Sequence, residues 1–107
     1  MKIKRVFDVY EDAGHAWMKV KKDLLHKMGI ADKITAYSYE RGEYAYLEED
    51  CDLSTFYHRY KEMYGIDIKF RTHYSDTSRI RGYNDYTYSR VYVNKWGDNS
   101  PHTWQDK

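Results

Sequence analysis

The sequence predicts an α+β fold, in which a mostly antiparallel sheet carries two helices packed on one face. Residues 34–52 alternate with a period of two on both sides of a turn, and residues 53–64 carry an apolar stripe with helical spacing. Further short alternating segments are separated by turn residues, which gives the order β-β-α-β-β-α-β-β. A chain of 107 residues has the size of one domain. We expect this domain to occupy residues 1–95 and residues 96–107 to form a mobile tail.

The N-terminal part of the chain predicts a strand hairpin followed by a short helix. Residues 3–10 and residues 15–20 alternate on either side of a turn. On these strands Ile3, Phe7 and Val9 share one face, as do Ala16, Met18 and Val20. Residues 21–28 then change to helical spacing, and Gly29 is placed to end that helix.

The central segment predicts a second hairpin, with Arg41-Gly42 as its two-residue turn, because glycine adopts positive φ without steric penalty. The predicted pairs include Tyr39 with Tyr44 and Tyr37 with Tyr46, which places all four tyrosines on one face. The opposite face carries Ile34, Ala36, Ser38, Ala45 and Leu47. Small apolar residues suit a covering helix, so we expect at least two of the four tyrosines to be exposed.

The C-terminal half predicts one more helix and two more strands. Asp52 is expected to cap a helix over residues 53–64. This helix is expected to pack through Phe56, Tyr60 and Met63. The remaining predicted elements are a strand over residues 66–73 with Ile66, Ile68 and Phe70 inward, a loop over residues 74–86 with a helical turn near residues 78–81, and a strand over residues 87–94.

Composition and charge limit the classes of function. The net charge of +1 argues against a protein coated with nucleic acid and against a uniformly acidic one. Residues 40–52 contain six acids, whereas residues 66–95 contain six bases, which predicts two solvated faces of opposite sign. The single cysteine excludes an internal disulfide, and no apolar run is long enough to span a bilayer. With no signal-peptide pattern, we expect a cytoplasmic protein without a membrane partner.

No pattern in the sequence indicates an enzyme, a cofactor or a metal. Cys51 lies among carboxylates that disfavour its thiolate, which is the opposite of what a nucleophile needs. The acidic run at residues 48–52 lacks the spacing and glycine of a calcium loop. The five histidines have no zinc-binding spacing, and no glycine-rich loop leads into a helix.

Two sets of residues are candidates for binding. The acidic set is Glu48, Glu49 and Asp50, which would suit a basic partner. The aromatic and basic set is Tyr37, Tyr39, Tyr44 and Tyr46 with Arg41, Arg79 and Arg81, a combination that binds single-stranded nucleic acid by stacking and charge. The same tyrosines could instead pack against the two helices or the first hairpin, and both interpretations stay open.

The motifs GHAWMKV, KMGIADKI, YAYLEEDCD and SRIRGY occur in this order. In these motifs the chain resembles small proteins encoded by phages and plasmids, over roughly residues 7–83. The resemblance carries over no activity and no site residue. It implies a genomic setting in which compact, non-enzymatic inhibitors of host defence are common.

These observations lead to two functional hypotheses. The first is a binding protein of phage or mobile-element origin that occludes a host protein or ribonucleoprotein complex, as anti-CRISPR proteins do. Its acidic residues would meet a basic groove while tyrosines anchor the contact. The alternative is direct binding of single-stranded RNA or DNA by the tyrosines and arginines. A homodimer through the tyrosine face is a further open alternative.

Overall fold

The computed structural model describes residues 3–76 and 78–88. In these residues the chain forms one six-stranded sheet with two α-helices, which confirms the α+β prediction. The strands are β1 (Val6–Glu11), β2 (Ala16–Lys21), β3 (Tyr39–Arg41), β4 (Tyr44–Glu48), β5 (Lys69–Tyr74) and β6 (Asn84–Asp85). The helices are α1 (Lys22–Lys27) and α2 (Asp52–Tyr64), and short 3₁₀ turns cover Ala31–Lys33 and Arg79–Gly82. The strand order is β5-β1-β2-β4-β3-β6, and only β5 pairs in parallel, with β1.

Both helices pack on the same face of the sheet, as predicted. This core contains alternate residues of the central strands: Phe7, Val9, Met18, Val20, Ala45 and Leu47. Leu25 of α1 and Phe56 and Tyr60 of α2 complete it. The Phe56 ring makes an edge-on contact with Phe7, with centroids 5.3 Å apart. Aromatic pairs of this geometry add to the stabilisation that burial gives.

The prediction that Met63 of α2 packs in the core is wrong. Met63 is 37% exposed, whereas Tyr60 is buried. The buried stripe continues from Tyr60 to Tyr64, four residues later, and their ring centroids lie 4.7 Å apart. Met63 and Tyr64 follow Tyr60 by three and four residues, so they lie on either side of the helix face that Tyr60 occupies. Because Tyr64 packs on the sheet side, Met63 points towards solvent.

The start of α2 also differs from the prediction. Asp52 is the first helical residue rather than the cap, and the preceding Cys51 makes no side-chain cap hydrogen bond. The buried Asp52 carboxylate instead accepts hydrogen bonds from the Thr35 amide (3.0 Å), the Thr35 hydroxyl (2.8 Å) and the Ser38 hydroxyl (2.5 Å). The Ser38 hydroxyl in turn accepts from the Glu48 amide at 2.9 Å. This network ties the loop before β3 to both β4 and α2.

The second hairpin forms with a shifted register. Arg41 pairs with Tyr44 and Tyr39 pairs with Tyr46, so the turn is Gly42-Glu43 rather than Arg41-Gly42. Gly42 has the positive φ (59°) that the prediction assigned to it. The pairing differs from the prediction by two residues, and a two-residue slip leaves every side chain on its predicted face. The strand begins only at Tyr39, because Asp52 holds the preceding residues in a loop.

The C-terminal strands are less regular than predicted. All six residues of β5 are exposed, and Phe70, predicted to face inward, is 49% exposed at the edge of the sheet. Strand β6 has two residues. Thr87 and Tyr88 follow it outside any strand, and the remainder of the predicted strand and tail lies outside the described residues. No helix in the described ranges combines the length and apolar character needed to cross a bilayer.

Candidate functional site

The face of the sheet opposite the helices carries a second aromatic cluster, which we call the aromatic face. Its buried residues are Trp17, Tyr46 and Ile80, and Tyr10, Tyr39, Tyr44 and Tyr83 pack around them half-buried. Ile80 and Tyr83 belong to residues 78–83, which lie across the strands. We call residues 78–83 the covering segment.

The covering segment changes the expected exposure of the tyrosines. Tyr37 is 72% exposed, but Tyr39 and Tyr44 are half-buried and Tyr46 is only 8% exposed. The expectation of two exposed rings among the four is therefore wrong. Tyr83 packs on Tyr46 with centroids 5.1 Å apart. The resulting desolvation, with the neighbouring Tyr83 and Tyr10 hydroxyls, raises the pKa of Tyr46 to about 12.

Arg81 attaches the covering segment to the sheet. Its guanidinium lies over the Trp17 ring, 5.3 Å from the centroid. It also donates two hydrogen bonds to Asp12, which accepts the amides of Gly14 and His15 as well. These hydrogen bonds hold the pKa of Asp12 well below its usual range, and those from Arg81 have the largest effect. Arg81, predicted to bind a ligand, is thus largely engaged within the fold.

The predicted site residues separate into two clefts. One, the acidic cleft, has a volume of about 330 Å³ and is lined by His15, Trp17, Tyr37, Tyr39, Glu48, Asp50, Cys51 and Arg81. The other, the basic cleft, has a volume of about 420 Å³ and is lined by Arg41, Gly42, Glu43, Tyr44, Tyr46, Arg79 and Tyr83. Every predicted site residue except Glu49 therefore lines one of these clefts. The predicted aromatic and basic set is divided, because Tyr37, Tyr39 and Arg81 line the acidic cleft and its other members line the basic cleft.

Glu48 organises the acidic cleft. It is buried, and its Oε1 accepts the amides of Asp50 (3.0 Å) and Cys51 (3.1 Å). Its Oε2 lies 3.7 Å from Nδ1 of His15. Glu48 is therefore not free to meet a partner, whereas Glu49 and Asp50 are exposed in the turn that follows.

The electrostatics of this turn argue against a nucleophile. Desolvation, followed by the charges of Glu48 and Asp52, raises the pKa of the Cys51 thiol. Desolvation together with the charges of Asp50 and Glu48 raises the pKa of Glu49. A thiol that holds its proton is a poor nucleophile, so the arrangement suits binding better than covalent chemistry.

The basic cleft places cations against rings. The Arg41 guanidinium lies 5.2 Å from the centroid of Tyr83, and Lys19 Nζ lies 4.2 Å from that of Tyr44. An adjoining cleft of about 700 Å³ shares Tyr46, Arg79 and Tyr83 with it and adds Tyr10, Lys19 and His73. These distances are within the range of cation–π attraction.

Sequence reasoning missed His15, Trp17, Lys19 and Tyr83 as cleft residues. Metal-binding and catalytic motifs are recognised from residues that are close along the chain. His15 and Glu48 are far apart in sequence and meet only through strand pairing. Pairing of Trp17 with Glu48 places these distant segments side by side. The one available signal was the alternation of residues 15–20, which already put His15, Trp17 and Lys19 on one face.

Comparisons of the chain with known protein families, with curated proteins and with solved structures give no match. The fold and its clefts define a small α+β domain with a closed aromatic face and two clefts of opposite charge.

Proposed function

We propose that this protein is a small, non-enzymatic binding protein that occludes a basic, nucleic-acid-handling surface of a host complex in the cytoplasm. The observation that carries the proposal is an exposed ring beside an exposed acidic turn. Tyr37, 72% exposed, lines the same cleft as Asp50, and Glu49 adjoins it in the turn. The resemblance to phage and plasmid proteins supports a host defence complex, such as a CRISPR effector, as the target.

Tyr37 has the properties of an interface anchor. Tyrosine is enriched at the energetic centres of interfaces because one rigid ring supplies a large contact area and a hydroxyl. The Tyr37 amide donates to the Thr35 hydroxyl at 3.2 Å, and Thr35 is itself held by the buried Asp52. The backbone that presents the ring is therefore ordered before any partner arrives, which lowers the entropic cost of binding.

Charge favours a basic protein surface at this position. Glu49 and Asp50 are exposed carboxylates, whereas Arg81, the arginine that lines the same cleft as Asp50, is neutralised by Asp12. Phosphates would be repelled here, while lysines and arginines of a nucleic-acid groove would be attracted. Such a contact would block nucleic acid from the groove that it covers.

The basic cleft supports a second candidate, the binding of single-stranded RNA or DNA. Lys19, Arg41 and Arg79 lie around Tyr44 and Tyr83, and rings beside cations are the usual elements of sequence-tolerant binding. Tyr46 is too buried to stack with a base, so Tyr44 and Tyr83 would supply the rings.

Capture from nuclease-treated host extract tests the first proposal. The variant with Tyr37→Ala, Glu49→Lys and Asp50→Lys should lose the captured complex. A matched control with Asp32→Lys and Glu62→Lys, both exposed and neither lining the acidic cleft, makes the same change in charge and should retain it. Equal capture by both variants would contradict the proposal.

The second candidate has its own assay. Binding of a labelled single-stranded oligonucleotide should fall with the logarithm of salt concentration and weaken when Arg41 and Arg79 become alanine. Sedimentation over a concentration series separates both candidates from self-association, because only a homodimer changes mass with the concentration of this chain alone.

A further inference from the structure

Three metal-ligating side chains converge in the acidic cleft. His15, Glu48 and Asp50 each offer one ligand atom, and these atoms all lie within 4.8 Å of one another. They come from the start of β2 and from the end of β4 and its following turn. The pairing of Trp17 with Glu48 and the hydrogen bond from the Glu49 amide to the Ala16 carbonyl (3.0 Å) hold the two segments together.

The fold orders these ligands in advance. The Oε1 atom of Glu48 is occupied by the amides of Asp50 and Cys51, which fixes the carboxylate and leaves Oε2 beside the His15 imidazole. The same bonds fix the backbone of the turn that carries Asp50. Ligands of a tetrahedral ion bound at about 2.0–2.1 Å lie roughly 3.4 Å apart. The 3.7 Å separation of His15 Nδ1 and Glu48 Oε2 is already close to that value.

An independent observation also points to a ligand in this cleft. Trp17 is only 2% exposed, and its indole N–H has no hydrogen-bond partner among the described residues. Trp17 lines the cleft together with the three ligands. Buried donors are nearly always paired in folded proteins, so an unpaired one calls for an acceptor that the protein atoms do not supply. A water or hydroxide oxygen held on a metal ion would be such an acceptor once a small shift of the cleft wall exposes the buried indole nitrogen.

We propose that the acidic cleft binds a divalent transition-metal ion, with Zn²⁺ as the best-fitting ion, through His15, Glu48 and Asp50. Imidazole nitrogen favours Zn²⁺ over Mg²⁺ and Ca²⁺, which prefer oxygen ligands alone. The two carboxylates balance the charge of the ion, and the charge of the nearby Arg81 is offset by Asp12. Water completes the coordination. This site requires no protein partner, although it shares Asp50 with the proposed docking surface.

Calorimetric titration of the protein, purified without a histidine tag and stripped with chelator, tests this site. We expect one Zn²⁺ per chain and clearly weaker binding of Mg²⁺. His15→Ala and Asp50→Asn should each weaken Zn²⁺ binding by roughly tenfold or more, since even the loss of outer partners of a metal site costs that much. Both residues are exposed, so either variant tests the site if the other fails to fold.

Matched controls distinguish specific coordination by the three ligands from nonspecific attraction of a cation to acidic residues. Glu49→Gln removes the same charge from the residue between the two carboxylate ligands, and it should weaken Zn²⁺ binding far less than Asp50→Asn does. His58→Ala removes an exposed histidine of α2 and should leave Zn²⁺ affinity unchanged. Weakening by Glu49→Gln equal to that by Asp50→Asn would overturn the proposal. Equal affinity for Mg²⁺ and Zn²⁺, or no Zn²⁺ binding, would overturn it as well.

Nuclear magnetic resonance supplies a structural readout. In ¹⁵N-labelled protein the indole N–H signal of Trp17, assigned with Trp17→Phe, should shift when Zn²⁺ is added. In Asp50→Asn the same shift should require roughly tenfold more Zn²⁺ or higher. An indole signal whose chemical shift does not change at saturating Zn²⁺ would contradict the position of the ion beside Trp17.

Discussion

Arg81 and Asp12, 69 residues apart, are joined by two hydrogen bonds, from Nε to Oδ2 at 2.6 Å and from Nη2 to Oδ1 at 3.0 Å. Paired bonds between a guanidinium and a carboxylate are among the most directional in proteins. This pair fixes the covering segment on the turn between β1 and β2, directly over Trp17. It thereby closes the aromatic face and shapes the acidic cleft.

Removal of the Arg81 side chain should open the covering segment. In Arg81→Ala we expect faster amide hydrogen exchange over residues 78–83 and a lower melting temperature, because Asp12 loses its charged partner. Arg79→Ala is the control, since Arg79 is an exposed arginine of the same 3₁₀ turn. Equal exchange rates in the two variants would show that the ion pair does not hold the segment.

Acid should weaken the protein through Asp12 and Asp8. Hydrogen bonds from Arg81 lower the pKa of Asp12, and those from Arg71 and His73 lower that of Asp8. A carboxyl group whose pKa is lower in the folded state stabilises it above the ordinary value of 3.8 and loses that effect as the pH falls further.

The melting temperature of wild type should therefore exceed that of Asp12→Asn most clearly near neutral pH. The difference should shrink as the pH falls below 3.8, because there the carboxyl group of the unfolded chain takes up a proton while that of the folded protein stays ionised. Thermal melts over a pH series measure this. A difference that is constant with pH would contradict the assigned ionic role of Asp12.

Phe56 should be essential for the core. It is fully buried between Phe7 and Tyr60, so Phe56→Ala should lower the free energy of unfolding by about 3–5 kcal/mol. Met63→Ala on the same helix should change it by only about 0.5 kcal/mol or less, because Met63 is exposed. Urea denaturation compares the two, and similar losses would show that the buried face of α2 is misassigned.

The buried Asp52 network should also contribute to stability. Asp52→Ala leaves the Thr35 amide and two hydroxyls without their acceptor, which should cost about 1–3 kcal/mol. Ser54→Ala is the control, because Ser54 is an exposed residue of the same helix that takes no part in this network; the change should be nearly neutral. Denaturation of both variants is the measurement, and a neutral Asp52→Ala would contradict the role assigned to the network.

The sequence predicted the faces of the sheet because side-chain alternation survives errors of register. The second hairpin slipped by two residues, yet Tyr39, Tyr44 and Tyr46 stayed on their predicted face. Side-chain alternation does not reveal when a side chain, rather than a neighbouring strand, accepts a backbone hydrogen bond. Asp52 accepts hydrogen bonds from Thr35 and Ser38, and these long-range bonds engage the residues that precede β3.

The candidate site was less predictable, because its parts meet only through tertiary contacts. The exposure of the tyrosines depended on a polar segment, residues 78–83, whose single buried apolar residue, Ile80, gave no periodic signal. Likewise, His15 reaches Glu48 through strand pairing rather than through spacing along the chain. Local patterns therefore found most cleft residues but not their grouping.

The most direct test of the central claim is competition for the partner's nucleic-acid surface. The complex captured from nuclease-treated extract is first separated from this protein and loaded with labelled single-stranded DNA. The release of the label is then measured as this protein is added back. We expect wild type and the Asp32→Lys, Glu62→Lys control to release the label. The Tyr37→Ala, Glu49→Lys, Asp50→Lys variant should require roughly 30-fold more protein, as loss of an interface anchor worth about 2 kcal/mol implies. Release by that variant at wild-type concentrations, or no release by wild type, would contradict the account.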